Sequence, residues 1–248
     1  MRETMDDTIE VTGVVSFSAP AGEYDRRLVL LTRELGRITV FAGGARRPTC
    51  PYIAACRAFT FARFSLTRSR TAYRLRSAQI VESFEALAKD FDAVSYGTYF
   101  LELGGYFSEE NVEAEDQVNL IFVSLKALLK PAISKRLVRF IFELRILAIN
   151  GEAPQVFSCV CCGKELEDGN FSVKRHGIVC RACCKEPDAI YMPPAAVVAM
   201  QFSETENIST LYTFAVSDEV LEVLCSTMKQ YYHYYVGHTF KSLEMILE

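Results

Sequence analysis

Through residues 8–82 apolar and polar residues alternate in short runs. Ile9, Val11, Val14 and Val15 open the series, and Leu28–Thr32, Ile38–Ala42, Phe59–Phe64 and Tyr73 through Val81 continue it. Phe59, Phe61, Ala62 and Phe64 interleave with Thr60 and Arg63, the period of a half-buried strand. Turn signals separate the runs: Pro20-Ala21-Gly22, Glu34-Leu35-Gly36-Arg37, Gly43-Gly44 and the polar stretch Thr67–Thr71. Five short strands in about 75 residues predict a small closed barrel of the OB type.

Beyond residue 82 the period changes to that of a helix. Phe84, Leu87, Phe91, Val94, Tyr99, Leu103 and Tyr106 mark a first helical stretch, interrupted by Gly97 and Gly104-Gly105. Val118, Ile121, Phe122, Leu125, Leu128 and Leu129 mark a second, ending near Pro131. A third carries Ile133, Leu137, Phe140, Ile141, Leu144 and Leu147, with Pro131 at its start and Gly151 past its end. Pro193-Pro194 opens another short helix. Ser217 caps a long final helix with Asp218 and Glu219 in its first turn and an apolar stripe of Val220, Leu224, Met228, Tyr231 and Tyr235.

Between the helical stretches lie two cysteine hooks, Cys159-x2-Cys162 and Cys180-x2-Cys183, seventeen residues apart. That spacing is the one by which two tight turns offer four thiolates to one tetrahedral zinc ion. Gly163 and Gly177 flank the hooks, and Phe171, Val173 and Ile178-Val179 are short strand candidates between them. The competing reading is a set of redox or merely buried thiols. Cys161 and Cys184 adjoin the hooks as alternative ligands, and His176 is a spare one. No open coordination position for activating water is implied, so the zinc reads as a structural staple. The chain is therefore read as a multi-domain α+β protein. An N-terminal OB-fold β-barrel occupies 1–82, a helical domain 83–155 and 186–248, and an inserted four-cysteine zinc module 156–185.

Composition sharpens this picture. Half of the 248 residues are hydrophobic, enough for a substantial core, yet no 18-residue apolar run and no leader-like pattern occurs, so no membrane span or secretion signal is expected. Nine cysteines, an odd number, suit a reducing compartment with metal-bound thiols. The net charge of −4 hides an asymmetry. Residues 1–82 hold thirteen arginines and no lysine against eight acids, a net of +5; the remainder holds fourteen bases against twenty-three acids, a net of −9. A basic N-terminal module on an acidic body points to a polyanion partner for the first part, and the planar arginine fork suits phosphate.

The run Gly43-Gly44-Ala45-Arg46-Arg47 leaves a strand and precedes Pro48. It reads as a flexible basic loop at a barrel rim, able to track a phosphate backbone. Arg68, Arg70, Arg74 and Arg76 in the last hairpin add to it, Arg74 and Arg76 sharing a strand face beside Tyr73; Arg26 and Arg27 are further candidates. Glu23 and Asp25 resemble an acid pair but sit beside those arginines, where ion pairing is the simpler account. Tyr231, Tyr232, His233, Tyr234 and Tyr235 cannot all share one helix face, so some pack and some are exposed. No Walker loop, dinucleotide fingerprint or nucleophile elbow is present, and no constellation suggests catalysis, so a non-enzymatic protein is expected. Lys126, Lys130, Lys135, Arg136 and Arg139 place basic groups beside apolar helix surface, a reception site for an acidic peptide with an apolar end.

The order of Gly22-Glu23-x-Asp25-Arg26, Leu31-Thr32-x3-Gly36 and Ala42-Gly43-Gly44-Ala45-Arg46-Arg47, followed by a helical middle, the four-cysteine insert and a final helix carrying Phe240-Lys241-Ser242-Leu243, resembles the RecO family of bacterial recombination mediators over nearly the whole chain. Pro48-Thr49-Cys50-Pro51 and the additional Cys161 and Cys184 depart from the family pattern. The resemblance implies an OB-fold, a helical domain, a structural zinc and a role in DNA repair by the RecF pathway. Binding of single- and double-stranded DNA and annealing of complementary strands are implied with it. Also implied are partnership with RecR, action on strands coated by single-strand-binding protein, whose tail would be the acidic peptide, help in loading the recombinase, and a place in the cytoplasm at the nucleoid. An adaptor that meets only other proteins, stapled by its zinc, is the alternative.

Overall fold

The computed structural model describes residues 8–68 and 72–246. Contacts gather into two units: one runs to Leu129 and takes in the chain from Ser242 onward, the other is Lys130–Lys241.

The first unit is built on a closed five-stranded barrel. Its strands are β1 (Thr8–Ala21), β2 (Asp25–Thr32), β3 (Gly36–Ala42), β4 (Thr60–Arg68) and β5 (Tyr73–Ser83), joined in the order β1-β2-β3-β5-β4. This is an OB-fold. The period-2 alternation puts Val11, Val15, Leu28, Leu30, Ile38, Val40, Phe64, Leu66 and Leu75 in one buried cluster inside the barrel. β1 is long enough to pair with β4 through its first half and with β2 through its second, with a bulge at Ser16. Closure comes from a short parallel contact, Val40 with Tyr73 and Phe41 with Arg74.

Phe84 and Leu87 belong to a 3-10 turn at Glu85–Lys89 rather than to a continuous helix. The helix α1 (Phe91–Phe107) begins after Asp90, whose carboxylate accepts the Ala93 N–H at 3.0 Å. Gly97 and Gly104, which interrupt the sequence pattern, lie inside α1 because close packing needs them. A methyl group on Gly104 would come within 2.7 Å of Ile121 Cδ1 and 3.5 Å of Leu31 Cδ1. α2 (Glu115–Leu128) completes this unit, its Phe122 ring 4.8 Å from Phe61 on β4.

The second unit contains α3 (Lys135–Ile149), a three-stranded sheet of β6 (Gly169–Ser172), β7 (Gly177–Val179) and β8 (Ile190–Met192), and the helices α4 (Pro194–Thr205) and α5 (Asp218–Tyr231). β6 lies between β7 and β8. Pro131 sits in the turn before α3, which starts only at Lys135; Val173 lies beyond the end of β6; and β8 was not anticipated. Ser217 caps α5, accepting the Val220 N–H at 3.4 Å. That helix gives way to a π-helical turn over Tyr232–Val236 and stops at Gly237, whose φ is +59°. Phe240-Lys241-Ser242-Leu243 therefore lies beyond the final helix, not on it.

Arg145 on α3 closes the end of α4 by donating to the backbone carbonyls of Ser203, Glu204 and Glu206. Beside it Glu204 keeps one carboxylate oxygen buried without a hydrogen-bond partner. Burial pushes its pKa up to about 8, against the opposing pull of Arg145. The folded pKa thus exceeds the unfolded one, so this carboxyl favours folding below its ordinary range and that contribution is lost as pH rises toward 8. We expect Glu204→Gln to flatten the fall in stability between about pH 5 and 8 and to be the more stable protein at pH 8, as read by urea denaturation across that range.

Candidate nucleic-acid interface and four-thiol centre

The turn between β1 and β2 and the long connection from β3 to β4 meet at one end of the barrel. Gly44, at φ +68°, donates its N–H to Asp25 at 2.8 Å, and the Arg46 N–H reaches the Tyr24 carbonyl at 2.8 Å. The Arg46 guanidinium turns back onto the Gly22 and Glu23 carbonyls at 3.2 and 3.0 Å, so it braces the two loops together. Arg47 instead lies over the exposed Tyr24 ring, 4.7 Å from its centroid. Asp25 is thereby engaged with the glycine loop.

Alternation divides the other barrel arginines. Arg26 shares the inward side of β2 with Leu28 and Leu30, is half-buried, and donates to Ser18 Oγ at 3.1 Å. Arg27 is on the outer side, 5.7 Å from the exposed Phe17 ring. Arg74 and Arg76 are both exposed and both line a groove of about 590 Å³ with Phe41, Gly43, Tyr52 and Tyr73. A register shift between Leu66 and Ser65 makes Arg76 the bulged residue, its Nε 3.1 Å from Thr67 Oγ1. Arg68 is exposed at the end of β4, opposite Tyr73; Arg70 lies outside the described residues. Two further exposed residues escaped the sequence reading. Arg37 is exposed on the outer side of β3, in a smaller groove with Val29, Thr39 and Glu110. Phe41 sits on the same side, paired with Arg27 on β2 and with Arg74 on β5. The signal was available, since Phe41 falls between the core residues Val40 and Ala42 and so must point outward.

The proposed peptide-reception residues are divided between the two units. Lys126 belongs to the first unit, 3.5 Å from Glu82 and 4.6 Å from the Phe122 ring centroid. Lys130, Lys135, Arg136 and Arg139 belong to the second. Arg136 is paired with Glu222 at 2.7 Å on the surface. Arg139 is buried, with its Nε 2.8 Å from Glu143, itself buried, so it is a core residue and not a surface cation.

In the second unit Cys159, Cys162, Cys180 and Cys183 converge, all four sulfur atoms lying within 4.8 Å of one another. The first hook turns at Gly163, φ +74°, whose N–H donates to the Cys159 carbonyl at 2.8 Å. The Cys180 N–H points at Cys159 Sγ, 3.3 Å away. Burial pushes the Cys159 thiol up, but the N–H groups of Cys180, Cys161 and Cys162 outweigh it and hold it at about 6. Cys183 is pushed up to about 12, first by hydrogen bonding with the Cys180 and Cys162 sulfurs. The neighbouring thiols lie outside this cluster: Cys161 accepts from Arg175 at 3.2 Å, and Cys184 faces the Glu186 carbonyl at 3.9 Å. His176 is likewise not a ligand. It takes φ +60° and sits against Tyr231, whose hydroxyl is 2.7 Å from Nδ1, and against the Tyr235 ring at 4.7 Å. The tyrosine run is chiefly structural: Tyr231 reaches the Glu152 carbonyl, Tyr232 that of Glu143 and Tyr235 that of Val173, while Tyr234 stays exposed.

The fold and these two sites define a class of protein: an OB barrel with an arginine-rich rim, joined in one chain to a helical unit that holds four clustered thiols. The model of the recombination protein O N-terminal domain matches residues 5–84, and that of its C-terminal domain matches residues 88–244. The chain belongs to the recombination protein O family. Among its relatives, a DNA repair protein RecO from Acetivibrio thermocellus is 27% identical over 240 residues, 96% of each chain. One from Desulforudis audaxviator is 36% identical over 175 residues, 70% of each. One from Caldicellulosiruptor saccharolyticus is 30% identical over 224 residues, covering 90% of this chain and 91% of the relative. Among the described residues no helix is long and apolar enough to cross a membrane.

Replacing Arg139 by alanine leaves the Glu143 carboxylate buried without this partner, and should cost about 3–5 kcal/mol. Arg136→Ala, at an exposed pair, should cost about 1 kcal/mol or less. Denaturation midpoints of the two variants check the contrast.

Proposed function

We propose that this protein is a recombination mediator in DNA repair that holds DNA by phosphate charge on its barrel and has no catalytic activity of its own. The observation that carries the reading is the match to the family over nearly the whole chain, together with an OB barrel whose outer rim gathers Arg27, Arg47, Arg68, Arg74 and Arg76. Phosphate contacts of this kind are indifferent to base sequence and serve single strands and duplex alike. Annealing follows from the same charge, because two strands held on one basic surface no longer repel each other fully. In this reading the partners are RecR and single-strand-binding protein, the outcome is recombinase loading on coated strands, and the place of action is the cytoplasm at the nucleoid. Arg136, Lys130 and Lys135 stay candidates for receiving an acidic peptide tail; the burial of Arg139 argues against its inclusion.

The four cysteines hold one zinc ion in this reading. Tetrahedral coordination at Zn–S distances near 2.3 Å separates the sulfurs by about 3.8 Å, and Cys162 and Cys180 are 3.9 Å apart. Four thiolates this close repel one another unless a cation lies among them. Bound there, zinc would cross-link the two hooks, and with its four positions filled by thiolates its part is structural. Metal analysis of reduced protein should find about one zinc per chain, and Cys159→Ser should lower that occupancy and loosen the small sheet while the barrel keeps its stability. A metal content near zero would remove the ion from the reading.

For DNA, four to six phosphate contacts give a slope of log affinity on log salt of roughly −3 to −4 with single strands. The pair Arg47→Ala and Arg68→Ala should weaken binding to all sequences alike and flatten the slope by about one to two. Salt-independent binding by the unaltered protein, or a double variant that binds and anneals like it, would decide against phosphate-driven binding.

A further inference from the structure

Exposed aromatic residues scattered singly on a surface need no explanation. Phe41 is not such a case. It is 39% exposed at the penultimate position of β3, with core residues on either side of it in the strand. The strand register puts Arg27 directly opposite on one neighbour and Arg74 directly opposite on the other. Cross-strand partners stand about 5 Å apart at Cβ, so the Phe41 side chain leaves the sheet between two arginine side chains on one face. Phe17, 47% exposed, adds a second ring beyond Arg27, whose guanidinium already lies 5.7 Å from it. Across β1, β2, β3 and β5 the outer face thus reads aromatic, cation, aromatic, cation. The Phe41 ring is also a wall of the 590 Å³ groove, which Arg74 and Arg76 line as well. Asp25 lines the same groove. A carboxylate there opposes phosphate close to Phe41 and leaves the ring to an uncharged flat group.

We propose that Phe41, flanked by Arg27 and Arg74 and supported by Phe17, is a stacking platform for unpaired bases. It would make the barrel discriminate single-stranded nucleic acid from duplex. A base in a duplex has both faces covered by its neighbours, whereas an unpaired base can lay one face on a phenyl ring and its edge against a guanidinium. Phe17 and Phe41 flank β2 at Val29 and Arg27, two residues apart in register. With strands ~4.8 Å apart and ~3.4 Å per residue, the two rings are roughly 12 Å apart. That is too far for neighbouring stacked bases, so they would hold bases separated along the strand. The proposal rests on the phosphate-binding reading above and adds a preference that charge alone does not supply.

The test uses the full chain and three labelled probes of equal length: an oligothymidylate, an abasic strand with the same phosphates, and a duplex. The label is external, since the chain has no tryptophan. Phe41→Leu keeps an apolar side chain without a ring; Phe41→Tyr keeps the ring. We expect Phe41→Leu to lower the ratio of oligothymidylate to duplex affinity about tenfold, in line with one lost stacked base. Its salt slope should stay that of the unaltered protein, its affinity for the abasic strand should not change, and Phe41→Tyr should bind like the unaltered protein. An equal loss on all three probes would make Phe41 a structural residue and overturn the platform, and so would no loss on any. Either result leaves phosphate binding intact if the salt slope persists. A wild-type protein without a salt slope would overturn the phosphate reading, separately from the comparison of thymidylate with abasic strand.

Discussion

The first unit depends on β1 being paired on both edges at once. Gly13 lies opposite Thr32 on β2 and Ala62 on β4, and Val14 opposite Leu31 and Phe61. At this doubly paired point the backbone of β2 comes so near that a methyl group on Gly13 would stand 2.1 Å from the Leu31 carbonyl oxygen. The bulge at Ser16 then bends the strand away from β4 and onto β2 alone. A barrel closed in this way has no freedom of register, since a slip of one residue would turn every side chain over. The separation of Arg26 from Arg27, and of Phe41 from Val40, is a consequence of that closure and not of local preference.

The second unit is organised by the outlet of α5. A regular helix would set Tyr232 about 100° and Tyr235 about 40° round the axis from Tyr231. The π-helical turn widens the last coil, and these three hydroxyls meet carbonyls on three separate segments, at Glu152, Glu143 and Val173. His176, between the two hooks, packs into this aromatic group. The thiol cluster is therefore anchored to α5 by rings and hydroxyls as well as by its own strands.

Much of this was legible in the sequence where the signal is local. Period-2 alternation located the five barrel strands, helical spacing located α2, α3 and α5, Ser217 marked a helix start, and the C-x2-C spacing marked four sulfurs that do converge. What was not legible depends on partners distant in sequence. Arg46 looked like a free cation beside Arg47, but its guanidinium closes onto carbonyls some two dozen residues earlier. Arg139 looked like part of a basic helix face, yet Glu143 one turn on draws it into the interior. Gly104 of α1 looked like a helix breaker, because its benefit lies in the Ile121 and Leu31 side chains that it admits. Lone helical or strand patterns carry no record of such long-range contacts.

The small sheet has one feature with reach beyond its size. Its third strand, Ile190–Met192, pairs with β6 yet comes seven residues after the last of the clustered cysteines and runs directly into α4. The four-thiol segment is therefore not a detachable cassette. Excising the segment just past its last cysteine, or grafting that piece into another protein, would take β6 without β8 and leave a bare strand edge, the kind of surface on which chains aggregate. An insert that lends a strand to its host in this way is tied to the evolution of that host, and loss of the cysteines in a descendant would have to be matched by new packing along Phe171 and Met192.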